Sequence, residues 1–413
     1  MRRRSVVLSA LVAVLAAVVS WFAVPTAGAV DAAGLRSTLA TLHNRLGSYA
    51  GAYVVDQSDG AVLYAHRDSL ALAPASNEKL FVTSTALLRF GATGTLSTTL
   101  ATAPGAEVDA DGVLHGDLYL VGGGDPTLGD AGLEKLADAL VDAGVKKIDG
   151  GVIGDESAFD TLRGEPDSGY RPDSDLGGWL TALSWRHGRA GSDGPARAAA
   201  GELAQLLKAR DVTYERKART GRLSSVSGGG VAADAEPLAT LASPPMGGLI
   251  QMTNTPSENF YAEMLTKALG AKYGSGGTTA AGLSVVRSDL AAFGIHPKLV
   301  DGSGLSRSDQ TTARQVVRLL QRMDGQDTRA TWRASLPLAG KTGTLKTRMR
   351  GTAAAGRCSA KTGTLIGVSA LSGYCTTTGG RDIAFSFIEN RVCSSCAKKV
   401  EDRMVSAIAR LDG

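Results

Sequence analysis

Gly51-Ala-Tyr-Val-Val-Asp56 and Ala61-Val-Leu-Tyr64 are short apolar runs on either side of a turn containing Asp59-Gly60, and together they read as a β-hairpin. About 300 residues later the same texture returns in Val368 to Cys375 and in Ile383 to Ile388, where Ile383, Phe385 and Phe387 recur with the two-residue period of a strand. Two hairpin-like pieces at opposite ends of one chain can share a single antiparallel sheet, which would bring the chain ends side by side. Helical patterns lie between and after them: Asn77 to about Phe90, stopped by Gly91; a region from Pro244 to about Asp324; and a last helix near Lys398 to Leu411. From about Thr95 to Thr240 the texture changes. Short β-like runs (Asp117 to Val121, Gly151 to Gly154), glycine turns and Ala-rich helices alternate there, and Gly228-Gly-Gly230 marks a loop. The pattern predicts an α+β fold in which residues 30–94 and 241–413 build an antiparallel sheet flanked by helices. Residues 95–240 are then an inserted accessory domain or domains.

The length of 413 residues suits such a division, since domains run to roughly 150 residues. Charge excludes some functions. Of the 44 Lys and Arg, three are Arg2, Arg3 and Arg4, so from Val30 onward the balance against 40 acidic residues is 41 minus 40, or +1. A near-neutral body with no basic run longer than Lys398-Lys399 is a poor nucleic-acid binder. The five His form no HExxH pair, which argues against a zinc protease.

The first residues read as an address. Met1-Arg-Arg-Arg4 is a positive start, Val6 to Val19 an apolar stretch, and Ala27-Gly28-Ala29 a small-residue cleavage site after Pro25. Residues 1–29 are therefore expected to be a secretory signal peptide; the alternative is an uncleaved anchor over Ser5 to Val24. Either way the remainder works outside the cytoplasmic membrane, where an even number of cysteines points to disulfides. Counting outward from a hairpin turn near Leu365 to Gly367 places Cys358 almost opposite Cys375. Cys393 and Cys396 have the spacing of a short-loop bridge, without the βαβ surroundings of a thioredoxin-like site. Pairs 358–375 and 393–396 are expected, with a zinc site of the four cysteines as the alternative.

Three short motifs carry the chemistry. Ser76-Asn-Glu-Lys79 fits Ser-x-x-Lys, which alone is worth nothing, since Ser395 and Lys398 repeat it. Ser257-Glu-Asn259 fits Ser-x-Asn, and Lys-Thr-Gly occurs at Lys341 and again at Lys361. All three in this order form the signature of penicillin-recognising serine acyl-enzymes. The residue types follow from the reaction. A serine hydroxyl needs a base to become a nucleophile, and Lys79 shares a helix face with Ser76. Lys79 can be that base only when neutral, a form that burial and a second cation such as Lys361 both favour. Lys361 can also hold a substrate carboxylate. Backbone N–H groups at Ser76 and Thr364 can receive an oxyanion. Ser257 can relay a proton to a leaving amine, and Asn259 can bond a substrate amide or Lys79. Of the two Lys-Thr-Gly copies, Lys361-Thr362-Gly363 precedes an alternating strand, whereas Lys341 leads into the polar Lys346-Thr-Arg-Met-Arg350. The copy at Lys361 is the expected site. Gly340-Lys341-Thr342 imitates the tail of a phosphate-binding loop, but Ser335 stands where that loop needs its first glycine.

With these residues in view, the chain resembles the class C penicillin-binding proteins, the D-alanyl-D-alanine carboxypeptidase/endopeptidase family (peptidase family S13). The likeness runs over nearly all of the chain after the leader. It includes Pro74-Ala-Ser-Asn-Glu-Lys-Leu80, Asp117-Leu-Tyr-Leu-Val-Gly-Gly-Gly-Asp-Pro-Thr-Leu128, Ser257-Glu-Asn-Phe-Tyr-Ala-Glu263, Asp301-Gly-Ser-Gly-Leu-Ser306 and Ala360-Lys-Thr-Gly-Thr-Leu365. The resemblance implies a penicillin-binding transpeptidase-like domain with an insertion that ordinary β-lactamases lack. It implies cleavage of D-Ala-D-Ala or of D-Ala cross-links in peptidoglycan stem peptides, with β-lactams as covalent inhibitors and no cofactor or metal. Carried over, Ser76 is the nucleophile, Lys79 the proton acceptor, Ser257 and Asn259 the second motif, and Lys361, Thr362 and Gly363 the third. One departure is visible: the family commonly has Gly-x-Asp-Gly-Thr-Leu before the third motif, and here Thr342 replaces the Asp. A serine β-lactamase and a catalytically weak wall-binding protein of the same fold are the competing functions.

Overall fold

A computed structural model describes residues 30–189, 193–223 and 235–412. The leader expected at residues 1–29 and the loop at Gly228-Gly-Gly230 lie outside the described residues. In chain order, the first elements are α1 (Ala32–His43), β1 (Ala50–Asp56), β2 (Val62–His66) and α2 (Lys79–Phe90). Gly91, at φ 73°, ends α2, a backbone angle that glycine takes without steric penalty. The middle block contributes β3 (Ser97–Thr102), β4 (Val113–Leu114), β5 (Leu118–Gly122), α3 (Asp130–Asp142), β6 (Lys147–Asp155), α4 (Pro195–Lys208), β7 (Thr213–Thr220) and β8 (Glu236–Ala242). The chain then runs through α5 (Met246–Asn254), α6 (Asn259–Tyr273), α7 (Thr279–Ala292), α8 (Ala313–Asp324) and α9 (Arg329–Ala334). It closes with β9 (Cys358–Leu365), β10 (Val368–Thr376), β11 (Asp382–Asn390) and α10 (Ser394–Ile408).

Among the described residues the strands form two sheets. The first is antiparallel with order β2-β1-β11-β10-β9, so the amino-terminal hairpin pairs through β1 with the carboxy-terminal meander. Alternation decides what each face meets. Leu371, Ile383, Phe385 and Phe387 pack with Leu35 and Leu39 of α1 and Met404, Val405 and Ile408 of α10. Ala370, Tyr374, Ala384 and Ile388 face the opposite layer, where Phe81, Phe260, Met264, Val316 and Leu320 come from α2, α6 and α8. The result is helix, sheet, helix, and each deeply buried aromatic ring in it contributes roughly 1.5–3 kcal/mol. The chain ends meet: Val30 N–H donates to Arg410 O (3.2 Å), and Asp412 N–H donates to Val30 O (3.0 Å).

The second sheet belongs wholly to the middle block. Its strands β4, β5 and β7 run parallel to β6, and β3 lies antiparallel between β5 and β8. Leu133, Leu136 and Leu140 of α3 and Leu203 and Leu207 of α4 cover one face over Leu118, Leu120, Ile148 and Val152. The crossovers β5-α3-β6 and β6-α4-β7 explain the alternating texture of this stretch, because parallel neighbours need a helix to return the chain. We read this sheet and its helices as the inserted unit. One segment of the block leaves it: Phe159, Leu176, Leu180 and Ala182 pack into the main helical core beside Phe260 and Met264. Buried Lys267 of α6 anchors the same segment, donating to Asp160 Oδ1 (2.5 Å) and Leu162 O (2.7 Å).

Candidate active site

Ser76 sits in a 3-10 turn, Ala75–Glu78, that runs directly into α2. The turn is held from several sides. Asn77 Nδ2 donates to Ser372 Oγ of β10 at 3.0 Å. Ala75 is fixed at φ 47°, where a side chain is rarely found. A Cβ on Gly304 would lie 2.0 Å from Ala75 O, and one on Gly363 would lie 2.5 Å from Pro74 O. Two glycines thus allow a loop and an edge strand to press against the backbone just before the serine. Between Leu72 and Ala86, Ser76 is the one residue that is not buried.

Lys79 is fully buried one helical turn on, which the spacing of three residues requires if both groups are to share a face. Its Nζ lies 3.0 Å from Ser76 Oγ, 2.6 Å from Asn259 Oδ1 and 2.5 Å from Ser303 O. Burial draws its pKa from the usual 10.5 to about 8, while Asp301, Glu263, Glu258 and Glu78 resist that fall by favouring the ammonium form. Two of those acids are poor sources of charge. Burial pushes Glu263 up to about 8, and burial with neighbouring Asp301 and Glu263 pushes Glu78 well above the carboxylate range. Asp301 instead accepts the amides of Ser303, Gly304 and Ser306, which shapes the loop that offers Ser303 O to Lys79.

The second motif precedes and opens α6. Ser257 stands at φ 70°, another side chain in left-handed backbone, and its Oγ accepts from Lys361 Nζ at 2.7 Å. Asn259 has both ends of its amide engaged, since Nδ2 donates to Asp175 O (2.7 Å) on the segment that leaves the inserted block. Lys361, buried in β9, also donates to Thr362 O (2.9 Å), and burial, with the charge of Lys79 second, holds its pKa well below the ordinary lysine value.

β9 is an edge strand, and its backbone faces the serine. Cys358 and Ala360 spend their N–H groups on Ala354 O and Pro337 O, on the side away from β10. The two-residue period turns the amides of Thr362 and Thr364 to that same side. Gly363, against Pro74, brings this edge up to the turn of Ser76. The structure therefore gathers Ser76, Lys79, Ser257, Asn259, Lys361, Thr362, Gly363 and Thr364 in one place. It bonds Cys358 to Cys375 directly across β9 and β10, and Cys393 to Cys396 at the start of α10.

The motifs did not reveal several neighbours. Thr344, from the other Lys-Thr-Gly copy, accepts the hydroxyl of Thr362 (Oγ1 to Oγ1, 2.8 Å), and Gly343 lies against Thr255 O just before Ser257. The repeated Thr-Gly-Thr-Leu was the available signal. Thr342, in the place of the family's acid, accepts the Leu338 amide at 2.9 Å. Asp175 carried no signal, whereas Glu263 and Asp301 lie in runs that carry the family resemblance but had no role assigned to them. Among the described residues no group of three or more His, Cys, Asp or Glu side chains is arranged to hold a metal ion, and no helix is long and apolar enough to cross a membrane.

Such an arrangement can perform acyl transfer: a hydroxyl beside a buried amine of lowered basicity, a second hydroxyl on a second amine, and outward backbone amides. The chain is also similar to known proteins. The chain is 32% identical to a D-alanyl-D-alanine carboxypeptidase of Actinomadura sp. (strain R39), over 89% of this chain and 82% of that protein. It is 29% identical to a carboxypeptidase of Mycobacterium tuberculosis, over 88% and 81% respectively. The fold matches penicillin binding protein 4 of Haemophilus influenzae with a TM-score of 0.75 at 20% identity, covering 90% of this chain and 99% of that one. It also matches a penicillin G-acylated predatory endopeptidase of Bdellovibrio bacteriovorus, at a TM-score of 0.52, 18% identity and coverage of 87% and 88%. The profile of the D-Ala-D-Ala carboxypeptidase 3 (S13) family matches residues 32–176 and 190–411, and the chain belongs to that family.

Proposed function

We propose that the protein is a serine D-alanyl-D-alanine carboxypeptidase/endopeptidase that acts on peptidoglycan stem peptides through an acyl-enzyme on Ser76. The observation that carries this reading is the buried Lys79 amine, set between Ser76 Oγ at 3.0 Å and Asn259 Oδ1 at 2.6 Å. Neutral Lys79 takes the hydroxyl proton as Ser76 Oγ attacks the carbonyl of the penultimate D-Ala. The oxyanion forms against the amides of Ser76 and Thr364, whose dipoles are already oriented. Lys361 holds Ser257 in place and offers its charge to the terminal carboxylate, and Ser257 passes a proton to the leaving amine. The C–N bond breaks, D-Ala departs, and water attacks the ester to regenerate Ser76. A cross-linked peptide enters the same sequence with a longer leaving group, the endopeptidase reaction. A penicillin acylates the same hydroxyl, but its leaving nitrogen stays tethered. A peptidoglycan substrate supports a site of action outside the cytoplasmic membrane.

The test is incubation of purified protein with a labelled penicillin and with a D-Ala-D-Ala peptide. Persistent labelling and D-Ala release are expected, and Ser76→Ala abolishes both. Rapid turnover of the penicillin would instead indicate a β-lactamase, and no adduct would indicate a wall-binding protein.

A further inference from the structure

Cys393-Ser-Ser-Cys396 has no part in the reaction above, yet it touches the machinery. Both cysteines of this bonded pair are exposed, whereas Cys358 and Cys375 are buried. Val392 N–H donates to Gly367 O (3.2 Å), and Ser394 Oγ donates to Leu365 O (2.9 Å). The carbonyl between them, Ile366 O, accepts from Arg307 Nη2 at 2.7 Å. All three carbonyls of the β9–β10 turn are therefore held from outside the hairpin, two of them by the residue before the cysteine loop and a residue within it. Ile366 at the tip is 90% exposed and adds little packing, while Leu365 beside it packs against Ala73, Ala75 and Val368. Leu365 directly follows Thr364, whose amide faces the serine.

We propose that the Cys393–Cys396 disulfide and Ser394 are positioning elements for acyl transfer. Closed, the bond holds Ser394 against the β9–β10 turn and keeps the Thr364 amide where the oxyanion forms. Opened by an external dithiol, it releases the turn and slows acylation. The inference rests on the acyl-enzyme reading of Ser76. A bond across so short a loop removes backbone freedom from Ser394 and Ser395, and opening it restores that freedom. The exchange balances: a dithiol thiolate attacks one sulfur to form a mixed disulfide, and its second thiol displaces the chain. The reagent leaves as a disulfide, and two protons remain on Cys393 and Cys396. Exposure and a position at the start of α10, where N–H groups favour a thiolate, make this pair the accessible one.

The experiment uses dithiothreitol under conditions in which alkylation and mass spectrometry find two free thiols, at Cys393 and Cys396. Acylation by a labelled penicillin and D-Ala release are then timed. Reduction is expected to slow acylation roughly tenfold, a fraction of the hundredfold or more that follows outright loss of an oxyanion donor. The fall should lie in kcat with KM little changed, and reoxidation should restore it. The C393A/C396A double variant should be equally slow and indifferent to dithiothreitol. Ser394→Ala should cost about threefold, the size of one neutral hydrogen bond, and Ser394→Thr should recover it. An unchanged rate in protein carrying the two free thiols overturns the proposal, as does a double variant still slowed by dithiothreitol. If untreated, oxidised protein is never acylated, the hydrolase reading fails first and this inference falls with it.

Discussion

Lys341-Thr-Gly-Thr-Leu345 and Lys361-Thr-Gly-Thr-Leu365 are the same five residues in two different structures. The first folds into a 3-10 turn at Gly343–Leu345, with Gly343 at φ 50° and Lys341 exposed. The second is an edge strand in which Lys361 is buried and bonded to Ser257. Local preference cannot separate them, so their surroundings do. After Leu365 the chain turns at Ile366-Gly367 into the alternating β10, and a strand partner is at hand. After Leu345 comes a polar stretch with no strand to pair, and the glycine is used to close against Thr255 O. The two copies then meet through the hydroxyls of Thr344 and Thr362, so the turn supports the strand it duplicates.

The sharpest way to break this comparison is to remove each lysine in turn. Lys361→Ala should lower the penicillin acylation rate on the order of a thousandfold, since it removes both the partner of Ser257 and a substrate charge. Lys341→Ala should change the rate less than about twofold, as surface substitutions rarely matter. Comparable losses in stopped-flow labelling would show that the wrong copy has been assigned.

The pH profile should single out the same site. As the proposed proton acceptor, Lys79 must be unprotonated, and burial draws its pKa down to about 8. The acylation rate should therefore climb with pH to a plateau above that value and fall about tenfold per unit well below it. Glu258→Gln should move the midpoint to lower pH, because it removes an exposed carboxylate that favours the ammonium form. Lys341→Ala should leave the midpoint where it is.

The glycines give a smaller and more discriminating contrast. Gly363→Ala puts a methyl group against Pro74 O and should slow acylation roughly tenfold by moving the strand from the serine. Gly343→Ala meets Thr255 O in a positive-φ position and should show chiefly as lost stability, about 1–3 kcal/mol in urea titration. Smallest of all, Thr344→Val removes the hydroxyl that braces Thr362 and should cost about threefold in rate. An unaltered rate would mean that the turn merely lies beside the strand.

What could be read from the sequence was what repeats with a regular period or recurs as a motif. The alternation of Ile383, Phe385 and Phe387 showed a strand with two faces, and the matching run at Gly51 to Asp56 supplied its neighbour. Ser76 with Lys79, Ser257 with Asn259, and Lys361 stood out as candidates because acyl transfer asks for such spacings, and the fold brings them within hydrogen-bond reach. The role of Glu263 lay hidden, although its run was noted, because α6 is buried nearly all round and an acid between Ala262 and Met264 looks like a polar-face residue. Asp175 contributes a main-chain carbonyl to Asn259, and a carbonyl leaves no mark on residue type. The last helix begins at Ser394 rather than near Lys398, because Cys393 caps it, a role more often filled by Ser, Thr, Asp or Asn. The segment from Phe159 to Ala182 has no period at all, and only its contacts with α6 show that it walls the site.

The meeting of Val30 with Arg410 and Asp412 brings the two ends of the described chain together, so that residues 30–412 lie nearly in a closed circuit. A few glycines in place of residues 1–29 would bridge the gap, and a fresh opening at the exposed Asp59-Gly60 tip would yield a circular permutant with its hydroxyl, amines and amides undisturbed. Such a molecule would read its three motifs in the old order while starting from what is now the second strand.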